Sequence, residues 1–190
     1  MGEFSAGELE GWEERAFAGR TEYRIVEVDG RSALRAQSHG AASGLVKEAQ
    51  VDLRQTPFLR WSWKVERALA GLDERSKGGD DYAARVYVIL SGGLRFWETR
   101  SLNYVWSGSQ PRGSSWPNAF AGNNVVMLAI AGKEDPTGQW MSVKRDLRED
   151  LRRYLGVEVE RIDAVALMTD TDNSGQSTSA YYGDISFTAD

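Results

Sequence analysis

Period-two alternation of apolar and polar residues dominates the chain. Residues 59–65 put Trp61, Trp63 and Val65 on one face and Arg60, Ser62 and Lys64 on the other, which predicts a half-buried strand. Residues 82–90 repeat the pattern: Ala84, Val86, Val88 and Leu90 alternate with Arg85, Tyr87 and Ile89 before Ser91-Gly92-Gly93 ends the run. Residues 101–107 form an aromatic strand with Tyr104 and Trp106 on one face and Asn103 and Val105 on the other. Residues 124–130, apolar after Asn124, predict a fully buried strand. Earlier in the chain, residues 23–28 and 32–37 flank Asp29-Gly30, a hairpin turn signal, and residues 44–47 supply a further short strand. Pro57 bars a central strand just after Leu53. Near the end, residues 140–143, 162–168 and 181–187 read as strands, the last with Tyr181, Ile185 and Phe187 on one face.

Only residues 144–155 carry helical spacing, with Leu147, Leu151, Tyr154 and Leu155 in register and Gly156 as the stop. Arg145, Glu149, Arg152 and Arg153 read as its solvated face. Some nine to eleven short strands with one helix predict a mainly β chain folded as a jelly-roll-like β-sandwich with one short α-helix. No linker divides it, so residues 1–190 are expected to form a single β-sandwich domain.

Charge and composition narrow the function classes. The formal net charge is −5, with charges of both signs well mixed, which argues against a nucleic-acid partner because no basic stripe exists to neutralise phosphates. No apolar run reaches the length of a membrane span. Met1-Gly2-Glu3-Phe4 lacks signal-peptide character, and Ala6 breaks the myristoylation pattern. Zero cysteines exclude a disulfide framework and a thiolate site, and the single histidine, His39, reads as a surface residue with no nucleophile elbow to serve. What stands out is the aromatic content: 7 Trp, 7 Tyr and 6 Phe.

Three groups of residues could carry chemistry. The loop Asp170-Thr171-Asp172-Asn173-Ser174-Gly175 has carboxylates and an amide ahead of a glycine turn, the donor set a calcium ion takes, so Asp170, Asp172 and Asn173 are candidate calcium ligands. The match to a calcium loop is partial: Ser174 stands where Asp or Asn belongs and Tyr181 where a bidentate Glu belongs. A strand connection capped by its own Asp and Asn side chains is the alternative. Second, Asp81, Arg85 and Tyr87 are expected to share an outer sheet face with Arg60 and Lys64, a polar surface for a ligand. Third, Tyr104, Trp106, Trp116, Tyr181 and Tyr182 exceed what a core needs, and rings near amides and carboxylates hold sugars by stacking and directed hydrogen bonds. Trp116, beside Pro117 and Asn118 in a long polar loop, is the strongest of these.

Several stretches together resemble a known family: residues 59–65 (LRWSWKV), 78–88 (GGDDYAARVYV), 102–106 (LNYVW), 168–175 (MTDTDNSG) and 181–187 (YYGDISF). The family is the bacterial domain of unknown function 3047, and the similarity spans nearly the whole chain. The resemblance implies a secreted or periplasmic protein, and a chain without the leader suits a mature domain. It implies that polar motifs at Asp80, Asp81, Arg85, Asn103, Asp170, Asp172, Asn173 and Asp184 belong to one site. Its strand order resembles galactose-binding-like and carbohydrate-binding jelly rolls. The leading expectation is therefore a non-catalytic binder of a carbohydrate or other polar cell-envelope ligand, with a structural calcium. Its ligand-binding residues would be Asp80, Asp81, Arg85, Asn103, Tyr104, Trp106, Trp116, Asn118 and Asp184. Two alternatives stand beside it: a glycan hydrolase using a pair among Asp80, Asp81, Asp170, Asp172 and Asp184, and a structural module binding a protein through exposed aromatics.

Overall fold

The computed structural model describes residues 1–91 and 99–190, so the strand end expected at Gly92 and Gly93 lies outside the described residues. In chain order the strands are β1 (Glu13–Ala18), β2 (Glu22–Val28), β3 (Arg31–His39), β4 (Ala42–Asp52), β5 (Phe58–Val65), β6 (Ala84–Leu90) and β7 (Arg100–Trp106). They continue with β8 (Ser115–Asn118), β9 (Gly122–Ala131), β10 (Met141–Asp146), β11 (Arg161–Asp170), β12 (Ser177–Tyr182) and β13 (Ser186–Thr188). One sheet runs β1-β4-β11-β6-β7-β9-β8; the other runs β10-β5-β12-β3-β2, with β13 also on β5. The pairings are antiparallel except β7 with β9. The chain is a mainly β sandwich of two sheets with one short helix.

The alternation read from the sequence decides what meets between the sheets. Trp61, Trp63 and Val65 of β5 face Tyr104 and Trp106 of β7, with ring centroids 5.1 Å apart for Trp61 and Tyr104 and 6.0 Å for Trp63 and Trp106. Aromatic side chains of this size supply much of the apolar area a core removes from water. Ala84, Val86 and Val88 of β6 and Val165 and Leu167 of β11 complete the layer. Tyr104 and Trp106 are therefore core residues, which corrects their expected place in an exposed aromatic platform.

Other expectations shift for local reasons. The helix begins later: Lys144 and Arg145 belong to β10, and Asp146 caps α1 (Leu147–Asp150) by accepting hydrogen bonds from the backbone of Arg148 and Glu149. A wider turn of residues Leu151–Leu155 follows and ends at Gly156, φ 66°. Arg145 is not a solvated-face residue. It pairs with buried Asp150, which also accepts from the Tyr104 hydroxyl at 2.7 Å. The strand expected over residues 181–187 breaks at Gly183, whose N–H bonds the Ser62 carbonyl, so Tyr182 and Ile185 point inward and Tyr181 outward. Trp116 lies on edge strand β8, 3% exposed, stacked on Tyr82 and donating from its indole to the Glu74 carbonyl at 3.2 Å. With Val105, Met127 and Ala129 these two rings form a second, smaller apolar cluster on the outside of the seven-stranded sheet.

Candidate functional site

That outer face carries a cleft. The residues that alternate away from the core line up across neighbouring strands: Met168 of β11 pairs with Arg85 of β6, Tyr87 of β6 with Asn103 of β7, and Asn103 with Met127 of β9. Met168, Arg85, Tyr87 and Asn103 floor a cavity of about 390 Å³ whose lining also includes Asp80, Asn118, Asp170, Asp172 and Asn173. Its lips are two phenylalanines, Phe17 at 73% exposure and Phe120 at 60%. They are the exposed large hydrophobic residues among those described. Phe17 sits in a bulge of edge strand β1, where the register slips between Ala16 and Ala18, and Phe120 sits in the turn after the opposite edge strand, β8. Six strand spacings of about 4.8 Å would hold the edges of a flat sheet roughly 29 Å apart. Lips from both edges on one cavity mean that the sheet curls around it.

Arg85 organises the floor. It is fully buried, donates from Nε to Asp170 Oδ1 at 3.0 Å and from Nη2 to Asp170 Oδ2, and donates from Nη2 to the Asp80 carbonyl at 2.6 Å. Its guanidinium also lies 4.2 Å from the Tyr82 ring centroid. Asp170 accepts a further bond from the Tyr82 backbone at 3.2 Å. Burial and the neighbouring Asp81 carboxylate outweigh Arg85 and push the Asp170 carboxyl up to about 7. Asp172 is raised as well, by burial and by Asp81.

Asp81 lies beneath the cleft and holds its loop. Its carboxylate accepts from Asn173 N at 3.2 Å, Asn173 Nδ2 at 3.1 Å and Ser174 N at 2.7 Å. Asn118 holds the opposite wall, donating to Asp80 Oδ2 at 2.9 Å and accepting from the backbone of Phe120 and Ala121 at 3.0 Å each. The second Asp80 oxygen, Oδ1, is buried with no hydrogen-bond partner.

The structure thus brings together Asp80, Arg85, Asn103, Asn118, Asp170, Asp172 and Asn173 on the cleft, with Asp81 supporting them. It separates others. Tyr104 and Trp106 face the core, Trp116 is buried in the side cluster, and Asp184 sits on the other sheet, accepting from Ser5 N at 2.8 Å and from the Ser5 hydroxyl. Arg60 and Lys64 are on β5, so they occupy the outer face of the second sheet and do not share a surface with Arg85 and Tyr87. Sequence reasoning missed Phe17 and Phe120, although both stand in the same tetrapeptide, Ala-Phe-Ala-Gly, at residues 16–19 and 119–122. Each tetrapeptide ends in a positive-φ glycine, Gly19 at 64° and Gly122 at 60°.

Asp81, Asp170 and Asp172 offer carboxylate oxygens within 4.8 Å of one another, a grouping that contains two of the three expected calcium ligands, Asp170 and Asp172, with Asp81 in place of Asn173. As they stand, these donors are largely engaged. Arg85 holds both oxygens of Asp170, and backbone N–H groups hold both of Asp81, whereas calcium takes six to eight oxygen ligands.

Comparison with known proteins places this arrangement. A family model described as protein of unknown function (DUF3047) matches residues 10–186. The chain belongs to this family. For this DUF3047 chain, a search of curated proteins finds no match. Among solved structures, it is similar to the family 11 carbohydrate-binding module of the cellulase Lic26A-Cel5E of Clostridium thermocellum. The TM-score is 0.52 at 10% identity, over 99% of this chain and 93% of that one. It is similar to CBM28, a carbohydrate-binding module specific for non-crystalline cellulose, with TM-score 0.52 at 11% identity over 100% and 94% of the two chains. The xyloglucanase domain of NopAA from Sinorhizobium fredii matches at TM-score 0.50 and 11% identity, over 93% and 92%. Binding modules and an enzyme domain share the architecture, so the likeness establishes the β-sandwich and leaves function to the cleft.

Proposed function

We propose that this DUF3047 domain binds a carbohydrate chain, without cleaving it, in the cleft across its seven-stranded sheet. The observation that carries the reading is the pair of exposed phenylalanines, one from each edge, over a floor of Arg85, Asn103, Asn118 and acidic side chains. Sugar rings present an apolar face that packs on an aromatic ring, and their hydroxyls take directed bonds from such a floor. The likeness to carbohydrate-binding modules supports the same reading. A non-catalytic role is supported by Asp170, the carboxyl raised as a general acid would be, which is bound through both oxygens to Arg85. The ligand's setting is proposed as the cell envelope, with the protein periplasmic or secreted; no helix among the described residues is long and apolar enough to cross a membrane.

The test is calorimetric titration against envelope and plant glycans. Phe17→Ala and Phe120→Ala should each weaken a bound glycan about tenfold, the equivalent of about 1.4 kcal/mol, while unfolding stability shifts by less than about 0.5 kcal/mol because both rings are exposed. Undiminished affinity in both variants would remove the reading.

For the loop we propose that Arg85, and not a calcium ion, is the standing partner of Asp170. Calcium with and without EDTA should then leave the melting temperature unchanged. A calcium-dependent rise that Asp172→Ala abolishes would restore the metal, since a ligand bound only to the folded state raises stability by mass action.

A further inference from the structure

The charge on the cleft is out of balance. Asp80 and Asp172 line it and Asp81 lies directly beneath, against one lining cation, Arg85, which is already committed to Asp170 and to the Asp80 carbonyl and stands 3.9 Å from one Asp80 carboxylate oxygen, Oδ2. Lys77 stands at the rim, its ammonium 5.4 Å from the Phe120 ring centroid. Asp80 is 6% exposed, and its Oδ1 has no hydrogen-bond partner. A buried carboxylate oxygen left unpaired is costly, and in a native fold it asks what completes it.

Neutral hydroxyl groups could pair with the Asp80 carboxyl, but they could not offset the charge. A protonated amine does both, because it donates up to three hydrogen bonds and carries the missing positive charge. Resting on the carbohydrate reading above, we propose that the ligand is an amino sugar chain, a glycan with free protonated amines. Its rings pack between Phe17 and Phe120, and its ammonium groups meet Asp80 and Asp172.

The experiment titrates the protein by calorimetry with three matched probes: a glucosamine hexamer, an N-acetylglucosamine hexamer and cellohexaose, in mildly acidic buffer where the free amines are protonated. The glucosamine hexamer should bind at least about tenfold more tightly than either neutral chain, with a preference that shrinks as salt rises. Asp172→Asn, an exposed rim change that leaves the core alone, should bring the preference towards one, and Asp80→Asn should do so further. Glu27→Gln removes the same formal charge from an exposed site on β2, in the other sheet, and should keep the preference. Loss of preference in Glu27→Gln would mean general attraction to an acidic protein and would overturn the proposal. Equal binding of all three probes would overturn the amine while leaving the carbohydrate reading in place. No binding by any probe or by the wider glycan set would remove both. Stabilisation by calcium without sugar binding would assign the charge to a metal and likewise overturn it.

Discussion

Asp170 shows how a single side chain ties the cleft to the stability of the fold. Its carboxyl is buried between Arg85 and Asp81 and pushed up to about 7 from 3.8, so the native state binds its proton more tightly than the unfolded chain does. The stability it contributes is fully present below about 3.8 and is lost as pH rises through about 7. Between those values the slope is at most about 1.4 kcal/mol per pH unit for one proton. Asp170→Asn, which cannot titrate, should flatten urea unfolding midpoints across that window relative to wild type. Parallel pH profiles for the two proteins would show that Arg85 keeps Asp170 ionised throughout.

At the scale of elements, the cleft depends on short turns that pin its walls. Asn118 is the clearest case, because its side-chain oxygen accepts both the Phe120 and Ala121 N–H groups while its amide nitrogen reaches Asp80. Asn118→Ala should release the Phe120 turn, read as loss of hydrogen-exchange protection at Phe120 and Ala121 together with weaker glycan binding. Retained protection would mean that the turn stands on its β8–β9 pairing alone.

The strands around this turn were legible because alternation is a local signal: β5, β6 and β7 carry it without interruption, and the inward positions of Trp61, Trp63 and Val86 follow directly. Which strands become neighbours is not local. Arg60 and Arg85 both point outward, yet they lie on opposite sides of the sandwich because β5 and β6 enter different sheets. Trp116 and Phe120 fail in opposite senses for a related reason. The tryptophan in a polar stretch is buried by the loop that folds over it, and the phenylalanine goes unnoticed because its local mark, the Ala-Phe-Ala-Gly shared with Phe17, is too short to signal exposure. Asp80, Arg85, Asn103, Asn118, Asp170, Asp172 and Asn173 were named from the sequence and do meet, but only the sheet order shows that they meet between two rings.

For the whole molecule, the division of labour runs between the two faces of one sheet. The inner face is committed to the aromatic core with β5, and the outer face carries the charged side chains of the cleft. Beside the cleft, the loop leading into β6 is tied down at one residue. Buried Glu74 accepts at its carboxylate from the Ser107 hydroxyl and from the backbone of Gly108 at 2.7 Å and Ser109 at 3.2 Å. Its carbonyl takes the Tyr82 hydroxyl and the Trp116 indole. A wall stapled in this way has already given up its freedom before any ligand arrives. Association should therefore behave as rigid docking, with a single kinetic phase linear in ligand concentration and no slow closing step, and Glu74→Gln should introduce a second phase as the wall loosens.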